Sequence, residues 1–365
     1  MRKLFVTLLV LVLAGLAAPR AEAMKGTVTI ALSGEPLTFD PHIQSEFIGT
    51  MVWPWGYDNL IQSETGSSKL KPWLAEKLER LSAQAFKFTI RQGAKFNDGA
   101  PVTAEAVKYS IGRIFDPQVK SRLLAYFKDI REVEVVDART VIIHTRAPSN
   151  GLPNLLRNWG SVMNPKTKDM DPAEISRNSH GSGPYVLKEW TKGQKMVFEA
   201  NPHWWGNAMY PDRPKTLILR RIQEHTTRVK ALQAGEVDII TAIPAHEVAA
   251  IKADPKLDVI NIPGVRIMYV GFFTLHGGPF ADKRVRQAVN HAVNTEQIIK
   301  TFLGGFADPF FQMLHPWMYS GYSPKVTSWY PYDLNKAKQL MKEAGYEQGF
   351  KAHLFTTVGR YPSDK

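Results

Sequence analysis

The run Thr27-Val-Thr-Ile-Ala-Leu32 alternates and is rich in β-branched residues, which predicts a strand. Ala85-Phe-Lys-Phe-Thr-Ile-Arg91 alternates more cleanly and predicts a strand with one face buried. Arg131–Val136 and Thr140–Thr145 flank Asp137-Ala138-Arg139, and Tyr185–Trp190 and Lys195–Glu199 flank Lys192-Gly193, so each pair predicts a hairpin. Phe47–Leu60 is aromatic-rich and reads as a helix leading into a turn. A helix is predicted from Thr103, its expected N-cap, to Phe115. Thr216–Ile222, a helix over Thr226–Gln233 and Val237–Ile240 predict a β-α-β unit. Ala245–Ala253, Lys283–His291, Thr295–Phe302 and Leu334–Ala344 read as helices, the last stopped by Gly345. Leu257–Ile262, Ile267–Phe273 and Lys351–Thr356 read as strands, with a candidate boundary at Pro263-Gly264. The fold class is therefore α/β, with several hairpins and at least one parallel crossover.

The amino terminus has another purpose. Arg2 and Lys3 precede an almost wholly apolar run, Leu4 to Ala18, and Ala21-Glu22-Ala23 then offers a small-x-small cleavage pattern. This predicts a signal peptide over residues 1–23, cut after Ala23. The run is short of the ~20 residues that a membrane span needs. No later run is long and apolar enough to cross a bilayer.

Composition narrows the class. The chain has 365 residues, 44% of them hydrophobic and 22% charged, which describes an ordinary globular protein. It has no cysteine, which excludes a disulfide scaffold, thiolate metal sites, a Cys nucleophile and an acylated lipoprotein anchor. The net charge is +12. Its basic residues are dispersed rather than clustered, so no nucleic-acid partner is predicted, and the charge reads as a solvated surface with some ligand steering.

Motifs for catalysis fail one by one. His246-Glu247 starts like a zincin helix, but Ala250 stands where the second histidine must be. His180-Gly181-Ser182-Gly183 and His276-Gly277-Gly278 look like oxyanion loops without a G-x-S-x-G elbow. There is no P-loop or dinucleotide fingerprint. No catalytic residue, metal or cofactor is predicted, and the chain reads as a non-enzyme.

A set of collinear segments is more specific. These are Leu70-Lys-Pro-Trp-Leu-Ala-Glu76, Phe86 to Glu105 followed by Val107-Lys-Tyr-Ser110, Gly181-Ser-Gly-Pro-Tyr185 and Asn201-Pro-His-Trp-Trp-Gly206. Leu232-Gln-Ala-Gly-Glu-Val-Asp238, Pro279 to Ala288, and Ala337 to Tyr346 follow in order. Together they resemble the family 5 extracellular solute-binding proteins, the peptide, nickel and opine binding subunits of ABC importers. The residues themselves read as architecture: Trp73, Leu74, Trp204 and Trp205 as core anchors, Gly93 and Asn97-Asp98-Gly99 as turns, Gly235 as a helix stop.

The resemblance implies a two-lobed periplasmic-binding-protein fold of type II. Residues 24–57 and 181–264 would form the first-lobe core, 58–180 an extra subdomain, and 265–365 a partial second lobe. It implies ligand capture by hinge closure, delivery to permease subunits driven by a cytoplasmic ATPase, a periplasmic location and a monomer. Aligned with the family, Ser45, Glu46 and Phe47 are candidate ligand contacts, as is Tyr126 in Leu124-Ala-Tyr-Phe127. Val265, Ile267 and Tyr269 alternate along a strand crossing between lobes, which would turn one face to the cleft. Trp159 is a further candidate, with Trp53 and Trp55 behind it. For each of these, core packing or a solvated loop remains the alternative.

Three readings of function stay open on the sequence. The first is a carrier of di- or oligopeptides, the second the same fold with a nickel chelate, haem, opine or oligosaccharide, and the third a secreted hydrolase using Ser182. Family members run longer, so the chain is expected to end before its second lobe is complete and to lack the main ligand-anchoring residues.

Overall fold

The computed structural model describes residues 26–64, 67, 69–262, 264, 267–312, 322–323, 325–326 and 330–356. The predicted signal segment and Val265 lie outside these residues.

Eleven strands are defined among them: β1 (Thr27–Leu32), β2 (Ile61–Ser63), β3 (Leu70–Pro72), β4 (Ala75–Arg80), β5 (Ala85–Ile90), β6 (Ile130–Val135), β7 (Thr140–Thr145), β8 (Tyr185–Thr191), β9 (Lys195–Ala200), β10 (Thr216–Arg221) and β11 (Ile239–Ile240). They form a five-stranded sheet in the order β11-β1-β10-β9-β8, a four-stranded sheet in the order β4-β5-β7-β6, and the pair β2-β3.

In the five-stranded sheet β1 runs parallel to both neighbours, with Thr27 opposite Thr216 and Ile30 opposite Ile239. The helix His225–Gln233 carries the chain from β10 over β1 to β11. Gly235, at φ +73°, makes the reversal that a side chain would strain. Asp238 locks the edge: its amide donates to Thr29 O and its carboxylate accepts from Thr29 N. Leu32, Phe39, Val52, Trp53, Tyr57, Met196, Phe198 and Leu219 build the core on this sheet. The predicted β8–β9 hairpin is present, turning at Gly193 with φ +80°.

The four-stranded sheet is antiparallel throughout. Phe86, Phe88 and Ile90 of β5 and Val141 and Ile143 of β7 point to one face. The helix Ala104–Phe115 covers that face with Val107, Ile111 and Ile114, one stripe at helical spacing. Each such buried side chain contributes about 1.5–3 kcal/mol. Thr103 occupies the N-cap position, but its hydroxyl makes no capping bond.

Beyond residue 280 the described core is small. The helices Lys283–Ala292 and Leu334–Glu343 pack through Ala288, Ala337 and Leu340, and Arg284 Nη1 donates to Glu343 O at 2.6 Å. Gly345, at φ +81°, ends the second helix as expected. Three predicted strands are corrected here. Leu257–Ile262, Ile267–Phe273 and Lys351–Thr356 form no ladder, and Ile260, Tyr269, Phe273, Leu354 and Phe355 lie exposed. Their composition suits a pleated surface, but among the described residues no neighbouring strand pairs with them.

Candidate ligand-binding site

The segment after β1 turns back on itself and is fixed by buried polar groups. Asp40 and His42 are both about 1% exposed. The Asp40 carboxylate accepts two bonds from Arg113, in the last turn of the helix Ala104–Phe115, and one from the His42 amide. Arg113 Nη1 also lies 3.0 Å from His42 Nδ1. Arginine only donates, so Nδ1 accepts and the proton sits on Nε2, which donates to Ser161 O at 2.8 Å. Ser121 Oγ and the Arg122 amide bond the carbonyls of His42 and Ile43.

Electrostatics agree with that proton count. Burial drives the His42 ring down to about 4, with Arg113 adding to the effect against the pull of Asp40. Burial alone would raise Asp40, but its bond to Arg113 and the charges around it hold the carboxyl below the ordinary range. At neutral pH this is a carboxylate, a guanidinium and a neutral imidazole.

This clamp presents the three candidates next along the chain. Glu46 precedes the helix Phe47–Gly56, and its Oε1 accepts the Leu37 amide at 2.9 Å. Ser45 is half-buried and Phe47 exposed. Glu35, just beyond β1, accepts from Trp190 Nε1 and from Gly193 N, which anchors the segment at the end of the sheet where β1 finishes. In open parallel sheets this carboxyl end is where ligands bind.

Tyr126 and Trp159 meet face to face, with ring centroids 4.6 Å apart and planes inclined by 21°. Tyr126 is half-exposed. Both rings are tied to the clamp through the chain, Trp159 by way of Ser161 and Tyr126 by way of Arg122. Val265, Ile267 and Tyr269 are not brought to this surface by a strand: Ile267 is half-buried in irregular chain, Tyr269 is exposed, and Val265 lies outside the described residues.

The other candidates have structural explanations. Trp53 is buried, its indole donating to Thr38 O, and Trp55 packs edge-on against Phe198. Ser182 is fully buried, with Oγ donating to Asp58, so it faces no substrate. Asp58 also accepts from the Trp73 and Trp205 indoles, and burial raises its carboxyl to about 6 despite these donors. Gly181 and Gly183 pack against the carbonyl and amide of residues 56–57, where a Cβ would lie 2.3 and 2.6 Å from backbone atoms. No group of three potential metal ligands occurs among the described residues. No helix among them is long and apolar enough to cross a membrane.

Sequence reading did not single out Arg113 or Asp58. Arg113 looks like an ordinary basic residue near a helix end, and Asp58 meets its indole partners only in three dimensions.

Residues 69–365 match the bacterial extracellular solute-binding proteins, family 5 Middle. The chain belongs to this family. It is 28% identical over 342 residues to the glutathione-binding protein GsiB of Salmonella typhimurium, covering 93% of this chain and 65% of that protein. The chain thus spans somewhat less than two thirds of the curated relatives' length. Among solved structures, the agropinic acid complex of AgaA from A. tumefaciens superposes with a TM-score of 0.74 at 29% identity, over 93% of this chain and 68% of that one. DppA from Helicobacter pylori, solved with the peptide STSA, gives a TM-score of 0.74 at 24% identity, over 93% and 70%. The fold of the family 5 chain is that of type II periplasmic binding proteins.

Proposed function

We propose that the chain is the solute-capturing component of an ABC importer, and that its ligand is a small peptide or peptide-like molecule. The observation that carries this is the Asp40–His42–Arg113 clamp at the carboxyl end of β1, which fixes the segment leading to Ser45, Glu46 and Phe47 and, through Ser161 and Arg122, the chain that carries the stacked Trp159 and Tyr126. The 28% identical relative is a glutathione-binding protein. Glu46 would accept from a ligand ammonium and Tyr126 would cover an apolar or planar part. Ile267, Tyr269 and Val265 would close from the other side. Binding energy gained only on closure would shift the equilibrium between open and closed forms.

In this reading residues 1–23 direct export to the periplasm, residues 24–57 with 181–264 form the first-lobe core, 58–180 the extra subdomain, and 265–365 belong to the second lobe. The closed, liganded form docks on membrane permease subunits. No covalent step is required, and the protein acts as a carrier and not as an enzyme.

A second ligand class has its own support. The agropinic acid complex is 29% identical to this chain, so an opine, itself a modified amino acid, is the alternative cargo. Thermal shift of the 365-residue chain against glutathione, a di- to tetrapeptide set and opines separates the two. Stabilisation by peptides supports the first reading. A shift with opines alone would replace it, and no shift with any of them would remove both.

A further inference from the structure

The family 5 chain contains a second concavity that the ligand cleft does not use. A cavity of about 300 Å³ lies where Tyr57, Trp73, Pro184, Tyr185, Trp204 and Arg213 converge, between the two large cores. Its place in the fold separates it from the clamp. Tyr185 opens β8 opposite Ala200, Glu199 faces Thr216, and Thr216 faces Thr27, so Tyr185 stands at the end of the sheet where β1 begins. The Glu35–Gly193 bond fixes the clamp segment at the opposite end.

The lining has a definite chemistry. Trp204 and Tyr210 stack with centroids 5.7 Å apart, and Trp73 packs 6.2 Å from Trp204, giving flat apolar walls. Arg213 lies over Trp204 at 5.0 Å and over Tyr185 at 5.6 Å, and its Nη2 is turned to the carbonyls of Pro184 and Asn201. Its Nε is buried and makes no hydrogen bond among the described residues. Arg157 also borders the space, with Nη1 donating to Ser63 Oγ. No Asp or Glu lines the space among the described residues. Asp58, bonded to Trp73 Nε1, already accepts from two indoles and a hydroxyl.

The Arg213 guanidinium, with no carboxylate among the described lining residues, repels cations and attracts anions. Aromatic walls favour a flat ring. The volume fits a compact molecule and not an extended peptide. We propose that this cavity is a second ligand site, distinct from the interlobe cleft, that binds a small anion bearing an aromatic ring, an aryl carboxylate being the simplest case. The ring would stack along Trp204 and Tyr210, and the carboxylate would take up the donors of Arg213. This proposal does not rest on the peptide reading.

Titration of the 365-residue chain with benzoate, benzamide and benzylamine, followed by calorimetry and tryptophan fluorescence, tests it. Benzoate is expected to bind saturably, benzamide roughly tenfold more weakly for want of the charge, and benzylamine not at all. Arg213→Gln should weaken benzoate roughly tenfold. If that variant fails to fold, Tyr210→Ala carries the test: Tyr210 is 43% exposed, and its removal should weaken benzoate while leaving the unfolding midpoint in place. Absence of saturable benzoate binding, equal affinity for benzamide, preference for benzylamine, or full affinity in Tyr210→Ala would each overturn the proposal.

Discussion

Arg113 grips both carboxylate oxygens of Asp40, with Nη2 2.9 Å from Oδ2 and Nη1 3.1 Å from Oδ1. The Asp40 side chain is about 1% exposed and that of Arg113 about 10%. Removing one partner of a buried pair strands the other charge, so Arg113→Ala should cost about 3–5 kcal/mol of folding stability. Urea unfolding measures this. A change within about 0.5 kcal/mol, as for an ordinary surface site, would show the pair to be dispensable.

Two buried groups give opposite pH slopes. His42 is held neutral down to about 4, against an ordinary value of 6.5. Between those values the unfolded chain takes up a proton that the folded chain refuses, so acidification weakens folding, by about 3 kcal/mol in all. Asp58 is raised from 3.8 to about 6. Its folded form takes the proton first, so acidification from about pH 6 to 4 strengthens folding by an amount of similar order, about 3 kcal/mol. The two offset in the unaltered chain. Asp58→Asn removes one slope, so that variant should lose stability steadily from pH 6.5 to 4. Parallel pH profiles for variant and parent in chemical denaturation would contradict this.

Gly183 marks a point of backbone contact. A Cβ there would lie 2.6 Å from both the Gly56 carbonyl carbon and the Tyr57 amide nitrogen, which cannot move aside as a side-chain tip can. Gly183→Ala should therefore lower the melting temperature sharply or abolish soluble expression. Gly112→Ala, where nothing lies within 4 Å of the added carbon, is the control and should be neutral or slightly stabilising. Equal melting temperatures for the two variants would mean that the contact yields.

Tyr126 lies stacked on Trp159 but half in solvent. Tyr126→Ala should leave stability within about 1 kcal/mol and weaken capture of the cognate solute by about tenfold, the weight of one aromatic contact. Calorimetric titration reads the affinity. Unchanged affinity would move the ligand surface elsewhere.

The legibility of this chain follows a physical divide. The β8–β9 hairpin, the helix Ala104–Phe115 and the β10-helix-β11 crossover were readable because period, turn residue and stop signal coincide locally. Leu257–Ile262 and Ile267–Phe273 are as rich in apolar and β-branched or aromatic residues, yet a strand exists only when a partner supplies its hydrogen bonds. Ala75–Arg80 is the reverse: Ala-Glu-Lys-Leu-Glu-Arg is a good helical composition, and pairing with β5 makes it a strand. The clamp was half readable. Asp40-Pro41-His42 announces a turn, but nothing local says that Arg113 will reach it. The Asp58 site was unreadable, because its donors come from three separate segments, Trp73, Ser182 and Trp205, the last two far along the chain.

The strand order also sets a timetable. Every partner in the four-stranded sheet comes from residues 75–145, so that unit has all it needs early in synthesis. β1 emerges first of all the described strands, yet its neighbours are β10 and the two-residue β11. Until Ile239 and Asp238 arrive, the amino-terminal strand is an open edge of β-branched residues, the kind that recruits other chains. The short β11 is thus a late latch: in chain order the four-stranded sheet has all its strands before the first strand of the five-stranded sheet can be closed in.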